Sequence, residues 1–446
     1  MTPNISSNHR HRDDALAIFR AALAAVSPEA AIRRHLDRSG NTLVAAGKRI
    51  DLNRVDRIIV VGAGKATAPM AKAIEELVGE RIAEGLISVK YGHGVPLSRI
   101  VTIEAGHPVP DANGLEAGKR IMAMVAQAGP QDLIICLLSG GASALMPLPA
   151  AGLSLADKQA ATQVLLACGA TIHQINAIRK HLSAIKGGRL AAAAHPAPTL
   201  CLILSDVVGD DIQTIASGPT TADATTFADC LAIVKGFGVE DRMPPAVMDH
   251  LQNGAAGNVP ETPGPDHPAL ATTANRLIGT NLLALEAARQ KAVQLGYNTL
   301  ILSSLVEGQA EEVAGFLAAI ARQVPQGHPV GAPACILAGG ETTVVVKGKG
   351  RGGRNQHLAL AAAARIRGPA PVTLLSAGTD GTDGPTDAAG AMADNATIDR
   401  AVGLGLEPST CLADNDAYRF FQALGDLVIT GPTLTNVMDV QVMLVG

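Results

Sequence analysis

The chemistry in this chain is concentrated where apolar runs end in glycine. Four such turns carry ionisable or hydroxyl side chains: VVGAGKA at 60–66, CLLSGGASA at 136–144, LAGGETT at 337–343 and LLSAGTDGTDG at 374–384. Beyond the carboxyl end of a strand, glycines allow left-handed turns and close backbone approach. Successive N–H groups and the start of the next helix then make an anion site. In the first turn Lys65 follows Gly62 and Gly64 at a helix start, where its charge opposes the helix dipole. It is read as a cation poised over a phosphoryl group or carboxylate; the plainer reading is an exposed turn lysine. Neither G-x-x-x-x-G-K nor G-x-G-x-x-G is met there, because Ile59 and Thr67 occupy the glycine positions.

The second turn offers Ser139, Gly140, Gly141 and Ser143, two hydroxyls with several backbone donors, for a phosphate or a carboxylate. A nucleophilic serine is not indicated, since G-x-S-x-G fails at Leu145. After the apolar run 199–204 come Asp206, Asp210 and Asp211. Asp206 is best placed to hold Mg²⁺ or take a proton from a hydroxyl, and the other two equally suit a helix cap.

The segment GKGRGGR at 348–354 formally satisfies G-x-G-x-x-G through Gly348, Gly350 and Gly353. Lys347, Lys349, Arg351 and Arg354 give it more positive charge than one bridging pyrophosphate needs, which suits a triphosphate or a phosphoryl transition state. The acid that would bind a ribose about twenty residues on is missing. A basic surface loop is the plainer reading. Asp380, Asp383 and Asp387 crowd a single turn. Carboxylates so close repel unless a cation lies among them, so Mg²⁺ is the natural occupant and an acidic capped turn the alternative. His93, His107 and His181 show no metal-ligand spacing and are read as structural.

Strands and helices must hold these turns in place. Strands are expected at 57–61, 85–90, 100–104, 132–138, 199–204, 298–302, 334–337, 342–347, 372–375 and 440–444. Most are continuously apolar, as strands covered on both faces are. Helical patterns lie between them, at 65–78, 115–128, 155–168, 175–185, 281–295, 309–322 and 355–365. The alternation argues an α/β protein with mainly parallel sheets. The segment QNGAAGNVPETPGPDHP at 252–268 reads as a linker, which sets an amino-terminal domain over 1–255 and a carboxyl-terminal one over 270–446.

Composition sets the outer limits. A length of 446 residues suits two or three domains. With 36 Lys and Arg against 40 Asp and Glu, the formal charge of −4 gives no general attraction to nucleic acid or an anionic membrane. Charged residues at 17% against 47% hydrophobic exclude disorder as the default state. The six cysteines form no C-x-x-C and read as reduced, buried thiols. The opening stretch is interrupted by Asp13, Asp14 and Arg20, so it reads as an amphipathic helix rather than a signal peptide. No run reaches the ~20 apolar residues of a membrane span. A soluble, cytoplasmic protein is expected.

Taken together, these segments resemble the glycerate 2-kinase family, whose carboxyl-terminal half is the MOFRL domain. The resemblance is carried by VGAGKA (61–66), GHPVPDANG (106–114), LLSGGASAL (137–145), INAIRKHLSAIKGGRLA (175–191), LSDVVGDD (204–211), SGPT (217–220), GGETTVVVKGKGRGGRNQ (339–356), SAGTDGTDGPTDAAGA (376–391) and GPTLTNVMD (431–439). It spans nearly the whole chain and is weakest over 222–268. It implies transfer of phosphate from ATP, with Mg²⁺, to the 2-hydroxyl of D-glycerate. It also implies a Rossmann-like amino-terminal domain facing a MOFRL α/β domain (about 333–440) across a cleft that holds the active site. The family's cleft lysine and arginine fall on Lys65 and Arg354, and its acidic and amide cleft residues on Asp206, Glu341, Asp380 and Asn436.

With these positions the expected roles are as follows. Lys65 and Arg354 neutralise charge on the transferred phosphoryl, and Asp206 positions or deprotonates the hydroxyl. Glu341, Asp380 and Asp383 hold the metal. Gly62, Gly64, Ser139, Gly140, Gly141, Ser143, Lys347, Lys349 and Arg351 hold nucleotide or phosphate, and Arg179, Lys186 and Asn436 hold the substrate. A homodimer is left open. The competing reading is an NAD(P)H-dependent hydroxypyruvate reductase, a label often given to this family; in the sequence its support is the formal GKGRGG match alone.

Overall fold

A computed structural model of the chain describes residues 5–45 and 47–446. The chain divides into two compact units, Ala31–Ile278 and Met1–Ala30 with Gly279–Gly446. By their place along the chain, the first is the inner unit and the second the outer unit.

The inner unit opens with a small antiparallel sheet of β1 (Leu36–Ser39), β2 (Thr42–Ala45) and β3 (Lys48–Asp51). Its main sheet holds β4 (Ile58–Ala63), β5 (Ile82–Lys90), β6 (Val101–Ala105), β7 (Leu133–Leu138), β8 (Thr199–Leu204) and β9 (Thr273–Gly279), in the order β6-β5-β4-β7-β8-β9. The pairs β4–β5, β4–β7, β5–β6 and β7–β8 are parallel. Strands β4, β7 and β8 are buried at every residue, which is why they read as unbroken apolar runs. The chain leaves β4 in one direction toward β5 and returns on the other side at β7. The order therefore reverses between β4 and β7, and ligands bind at such reversals, beyond the carboxyl ends of the strands.

Two helices of this unit matter for the site. Leu155–Ala167 and Ile172–His181 each begin with a reciprocal cap, Ser154 with Asp157 and Thr171 with Gln174. Ala161, Leu165, Ile175 and Ile178 bury their apolar face with Phe227 and Leu251. The Pro- and Gly-rich stretch expected to separate the domains lies within this unit. Thr262 donates to the buried Asp223 carboxylate (3.1 Å), which also pairs with Lys180 (3.3 Å).

The outer unit is built on a sheet of β10 (Asn298–Val306), β11 (Ala334–Gly340), β12 (Val372–Gly378), β13 (Gly390–Asp394), β14 (Leu427–Val428) and β15 (Asp439–Val445), ordered β10-β11-β15-β12-β13-β14. Of its strand pairs among the described residues only β10–β11 is parallel; β15 runs antiparallel to both β11 and β12. The expectation of mainly parallel sheets thus holds for the inner unit and not here, because an apolar run reports burial on two faces and not strand direction. The helix Ile5–Ala25 also belongs to this unit, with Ile18, Phe19 and Ala22 buried alongside Ala284, Leu285 and Ala288. The strand expected at 342–347 is irregular, and Val345 and Val346 are exposed. Among the described residues no single helix is long and apolar enough to cross a membrane.

Candidate functional site

In the inner unit three turns lie side by side, because the register aligns Ala63 with Leu138 and Leu138 with Ile203. Lys65 follows β4, the Ser139–Ser143 turn follows β7, and Asp206 follows β8. The turns are locked together through the backbone. Lys65 N–H donates to Gly140 O (2.8 Å), and Ala66 N–H donates to Ser139 Oγ (3.0 Å), which also bonds Thr67 Oγ1 (3.1 Å).

This geometry reassigns several expected phosphate ligands. Ser139 is buried and its hydroxyl is engaged within the turn, so it positions the loop instead of meeting a ligand. Gly62 is required because a Cβ there would lie 2.2 Å from Leu137 O. Gly64 takes φ +139°, and a Cβ would lie 2.1 Å from Ser139 Oγ. Gly64→Ala therefore combines left-handed strain with overpacking, and a loss of roughly 2–5 kcal/mol is expected in chemical denaturation. Gly140 supplies its carbonyl to Lys65. Of this turn, Gly141 and Ser143 line a cavity of about 440 Å³ together with Lys158, Arg179 and Lys186.

Lys186 donates to Ser143 Oγ (3.3 Å) and to Ala216 O (3.1 Å). Ala216, Ser217 and Gly218 have φ of 56°, 59° and 60°, and two of them are not glycine. Such strain persists where the surroundings over-determine it, commonly at functional sites. Here it aims a carbonyl at Lys186 and brings Ser217 Oγ to Ser143 Oγ (2.9 Å). The SGPT segment counted above only toward the family resemblance, and this role was not legible in it. His107, expected to be structural, lines the same cavity, whereas His181 is buried and bonded to Ala177 O and Glu261.

Lys158 also lines this cavity, and nothing in the sequence signalled it. It is buried, and its ammonium donates to Leu182 O (3.0 Å). Burial, and then the Arg179 charge, push its pKa down to about 7. Burial likewise holds Lys186 well below its ordinary value, with Lys158 and Arg179 adding to the effect. The folded chain releases the Lys158 proton above about pH 7, whereas the unfolded chain keeps it to about 10.5, so the unfolded state binds more protons in that window. Stability should rise from pH 7 toward pH 10, and Lys158→Met should flatten the rise when urea midpoints are compared across that range.

In the outer unit the site forms around Asp439. The register places Asp439, fully buried at the start of β15, opposite Gly340 at the end of β11 and Gly378 at the end of β12. Arg354, the first residue of the helix Arg354–Ala363, grips it through two bonds (Nε–Oδ2 2.6 Å, Nη2–Oδ1 2.9 Å) and reaches Glu341 with Nη1 (2.9 Å). Burial works against the guanidinium charge, but the bonds and charge of Asp439 outweigh it and raise the Arg354 pKa. Asp439 was singled out in the sequence only as the end of a motif.

Glu341 follows β11 and Asp380 follows β12, so the two flank Asp439 in sequence register. Asp380 Oδ1 accepts from Thr382 N–H and Oγ1–H, both at 3.0 Å. Asn436 Oδ1 accepts from Met438 N–H (3.2 Å) in a segment where Leu434 and Met438 both have positive φ.

Asp383 departs from the expected metal role. It is buried, and its two oxygens accept from the N–H groups of Asn355 (3.1 Å) and Gln356 (2.9 Å), capping the helix that carries Arg354. Burial pushes its pKa up to about 6 against those bonds. Among the described residues no three His, Cys, Asp or Glu side chains are grouped to hold a metal. A magnesium ion needs no such cage, because it binds through one or two carboxylates, several waters and substrate phosphates. Glu341 and Asp380 fit that use.

The basic loop also differs from a phosphate cradle. Asn415 Oδ1 accepts from Lys347 and Gly348 N–H (2.7 and 3.0 Å), Asp414 Oδ1 from Lys349 N–H (2.9 Å), and Asp416 Oδ1 from Arg351 N–H (2.9 Å). The backbone donors that would hold phosphate are thus consumed by the 414–416 turn. A Cβ at Gly348 would lie 2.3 Å from Asp414, at Gly350 2.4 Å from Asp416, and at Gly353 2.3 Å from Asp383. These glycines serve loop packing, not close approach to a dinucleotide. Arg351 also stacks over Tyr418, 4.9 Å from the ring centroid.

A doubly wound inner sheet with a lysine at its reversal point, together with a mixed-sheet unit in which a partly exposed arginine grips a buried aspartate, defines a two-domain α/β enzyme. Two family models match the chain: a domain of unknown function (DUF4147) over residues 14–252 and the MOFRL family over residues 334–439. The D-glycerate 2-kinase of Thermotoga maritima is 40% identical over 435 residues, covering 97% of this chain and 97% of that protein. A putative hydroxypyruvate reductase of Agrobacterium vitis is 46% identical over 393 residues, 87% of this chain and all of that protein. The crystal structure of glycerate kinase from Thermotoga maritima matches 98% of this chain and 100% of its own with a TM-score of 0.87 and 38% identity. The chain belongs to the glycerate kinase family that carries the MOFRL domain.

Proposed function

We propose that this enzyme transfers the γ-phosphoryl group of ATP, with Mg²⁺, to the 2-hydroxyl of D-glycerate, giving 2-phosphoglycerate and ADP. The observation that carries the reading is the cationic, glycine-gated end of the inner sheet. Lys65 sits at the strand-order reversal beside a cavity bearing Lys158, Arg179 and Lys186. Relatives named D-glycerate 2-kinase at 40% and glycerate 2-kinase at 37% identity supply the substrate and the position.

In this reading phosphoryl transfer rests on positioning and charge stabilisation. Lys65 and Arg354 stabilise negative charge on the transferred group. Asp206 takes the proton of the attacking hydroxyl as its oxygen bonds to phosphorus and the bond to the ADP oxygen breaks. Arg179, Lys186 and Asn436 hold the acid, and Gly141, Ser143 and the side chains of Lys347, Lys349 and Arg351 contribute to phosphate binding. Glu341 and Asp380 would hold the metal, which would supply charge neutralisation on the phosphates. All six cysteines are free thiols, in keeping with the reducing cytoplasm as the site of action.

The test is turnover of D-glycerate, ATP and Mg²⁺ coupled through enolase, pyruvate kinase and lactate dehydrogenase to NADH loss, without phosphoglycerate mutase. The reading predicts signal under these conditions and none with hydroxypyruvate and NAD(P)H alone. A signal only in the second assay would overturn it. The packing role of Gly348, Gly350 and Gly353 already withdraws the feature that favoured a dinucleotide.

A further inference from the structure

The cavity in the inner unit holds more positive charge than a hydroxy monoacid needs. Lys158, Arg179 and Lys186 line it, and among the described residues no Asp or Glu does. The chain satisfies the two ammonium groups only with neutral acceptors, Leu182 O, Ser143 Oγ and Ala216 O. Arg179 makes no hydrogen bond or ion pair among the described residues, and burial lowers its pKa. The forces acting on Lys158 and Lys186 are desolvation and their mutual repulsion with Arg179, with no acid among them. Buried charges are ordinarily paired, so three like charges without a counter-charge mark a site completed by an anion from solution. At about 440 Å³ the cavity has room for a phosphorylated small acid.

We propose that this cavity recognises small acids that carry a second anionic group, that Lys158 is a ligand to them beside Arg179 and Lys186, and that the phosphorylated product is the occupant the reaction supplies. The inference rests on the kinase reading for the identity of that product. The cation trio is grouped by the two capped helices Leu155–Ala167 and Ile172–His181 together with the 183–188 turn. Lys158 enters from the first helix, Arg179 from the last turn of the second, and Lys186 from beyond it. A monoacid would leave at least one cation uncompensated, whereas a carboxylate plus a phosphate dianion compensates all three.

The experiment is calorimetric titration of the nucleotide-free protein with 2-phosphoglycerate, D-glycerate and tartronate, repeated on Lys158→Met. The phosphorylated acid should bind at least about ten-fold tighter than D-glycerate, and tartronate should fall between them. Lys158→Met should weaken the phosphorylated acid about ten-fold or more and D-glycerate much less. A structural lysine would not produce that difference between ligands. Thermal melting checks the fold, and removal of a buried like charge should not lower the midpoint. If Lys158→Met fails to fold, Lys158→Gln, which keeps most of the length and a donor to Leu182 O but not the charge, carries the same comparison. Equal affinity for D-glycerate and its phosphate, tighter binding of tartronate than of the phosphate, or an unchanged difference in the variant would overturn the proposal. Selective binding without glycerate phosphorylation in the coupled assay would instead overturn the kinase reading and keep the anion site. Phosphorylation with an unchanged variant would overturn the site alone.

Discussion

Arg354→Met is expected to cost both fold and function. Asp439 is fully buried and bonded through both oxygens to the Arg354 guanidinium, so the variant leaves an uncompensated carboxylate in the outer unit. Breaking a fully buried pair by removing one partner costs about 3–5 kcal/mol, and because the Arg354 side chain is itself 32% exposed the lower end of that range is expected. Turnover should fall about 10³-fold or more, the range seen when an arginine that stabilises a phosphoryl transition state is lost. The two effects separate in the double variant Arg354→Met with Asp439→Asn. That variant should regain much of the stability in urea titration and none of the activity. Recovery of turnover in the double variant would show that Arg354 acts only as the partner of Asp439. Arg354→Lys should also fail, because a point charge cannot reproduce the two-bond grip on Asp439 while also reaching Glu341.

Lys65→Met is expected to lower kcat about 10³-fold with little change in stability. Its backbone N–H holds the turn to Gly140 whatever the side chain, so the loop architecture survives the substitution. What is lost is a cation at the end of β4, where the strand order reverses and a ligand's developing charge would lie. Steady-state kinetics with saturating D-glycerate and ATP check this. A variant with normal kcat would remove Lys65 from the chemistry. A variant with raised KM for ATP and normal kcat would make it a ground-state phosphate ligand.

Much of this arrangement was legible in the sequence because it obeys local rules. Continuously apolar runs marked β4, β7, β8, β11 and β12, and glycines marked the turns where Lys65, Ser143, Glu341 and Asp380 stand. These signals are local, since burial on both faces demands apolar residues and tight turns demand glycine. The family resemblance added Asn436 and singled out Arg354 among the cations of the basic loop. Three kinds of information were absent. Strand direction was not encoded, so the antiparallel β15 and its pairing with both β11 and β12 were not foreseen. A glycine pattern did not say what approaches it, and at Gly348 and Gly350 the neighbour is the 414–416 turn instead of a pyrophosphate. Acid type did not reveal burial, so Asp383 was read as a metal ligand although it caps a helix, and Asp439 drew attention only within a motif.

What the sequence determined by itself was the α/β class, the strand ends that carry reactive side chains, and the family. Each follows from patterns spaced within a few residues of one another. What only the tertiary structure decided was which side chains share a cavity and which spend their lone pairs inside the protein. Lys158, Arg179 and Lys186 lie on separate helices and a turn, and their convergence without a carboxylate exists only once those helices bury their apolar faces in the same core. The physical reason is that hydrogen bonding, desolvation and charge pairing depend on distance in space, and distance along the chain reports it only within a turn or two of secondary structure.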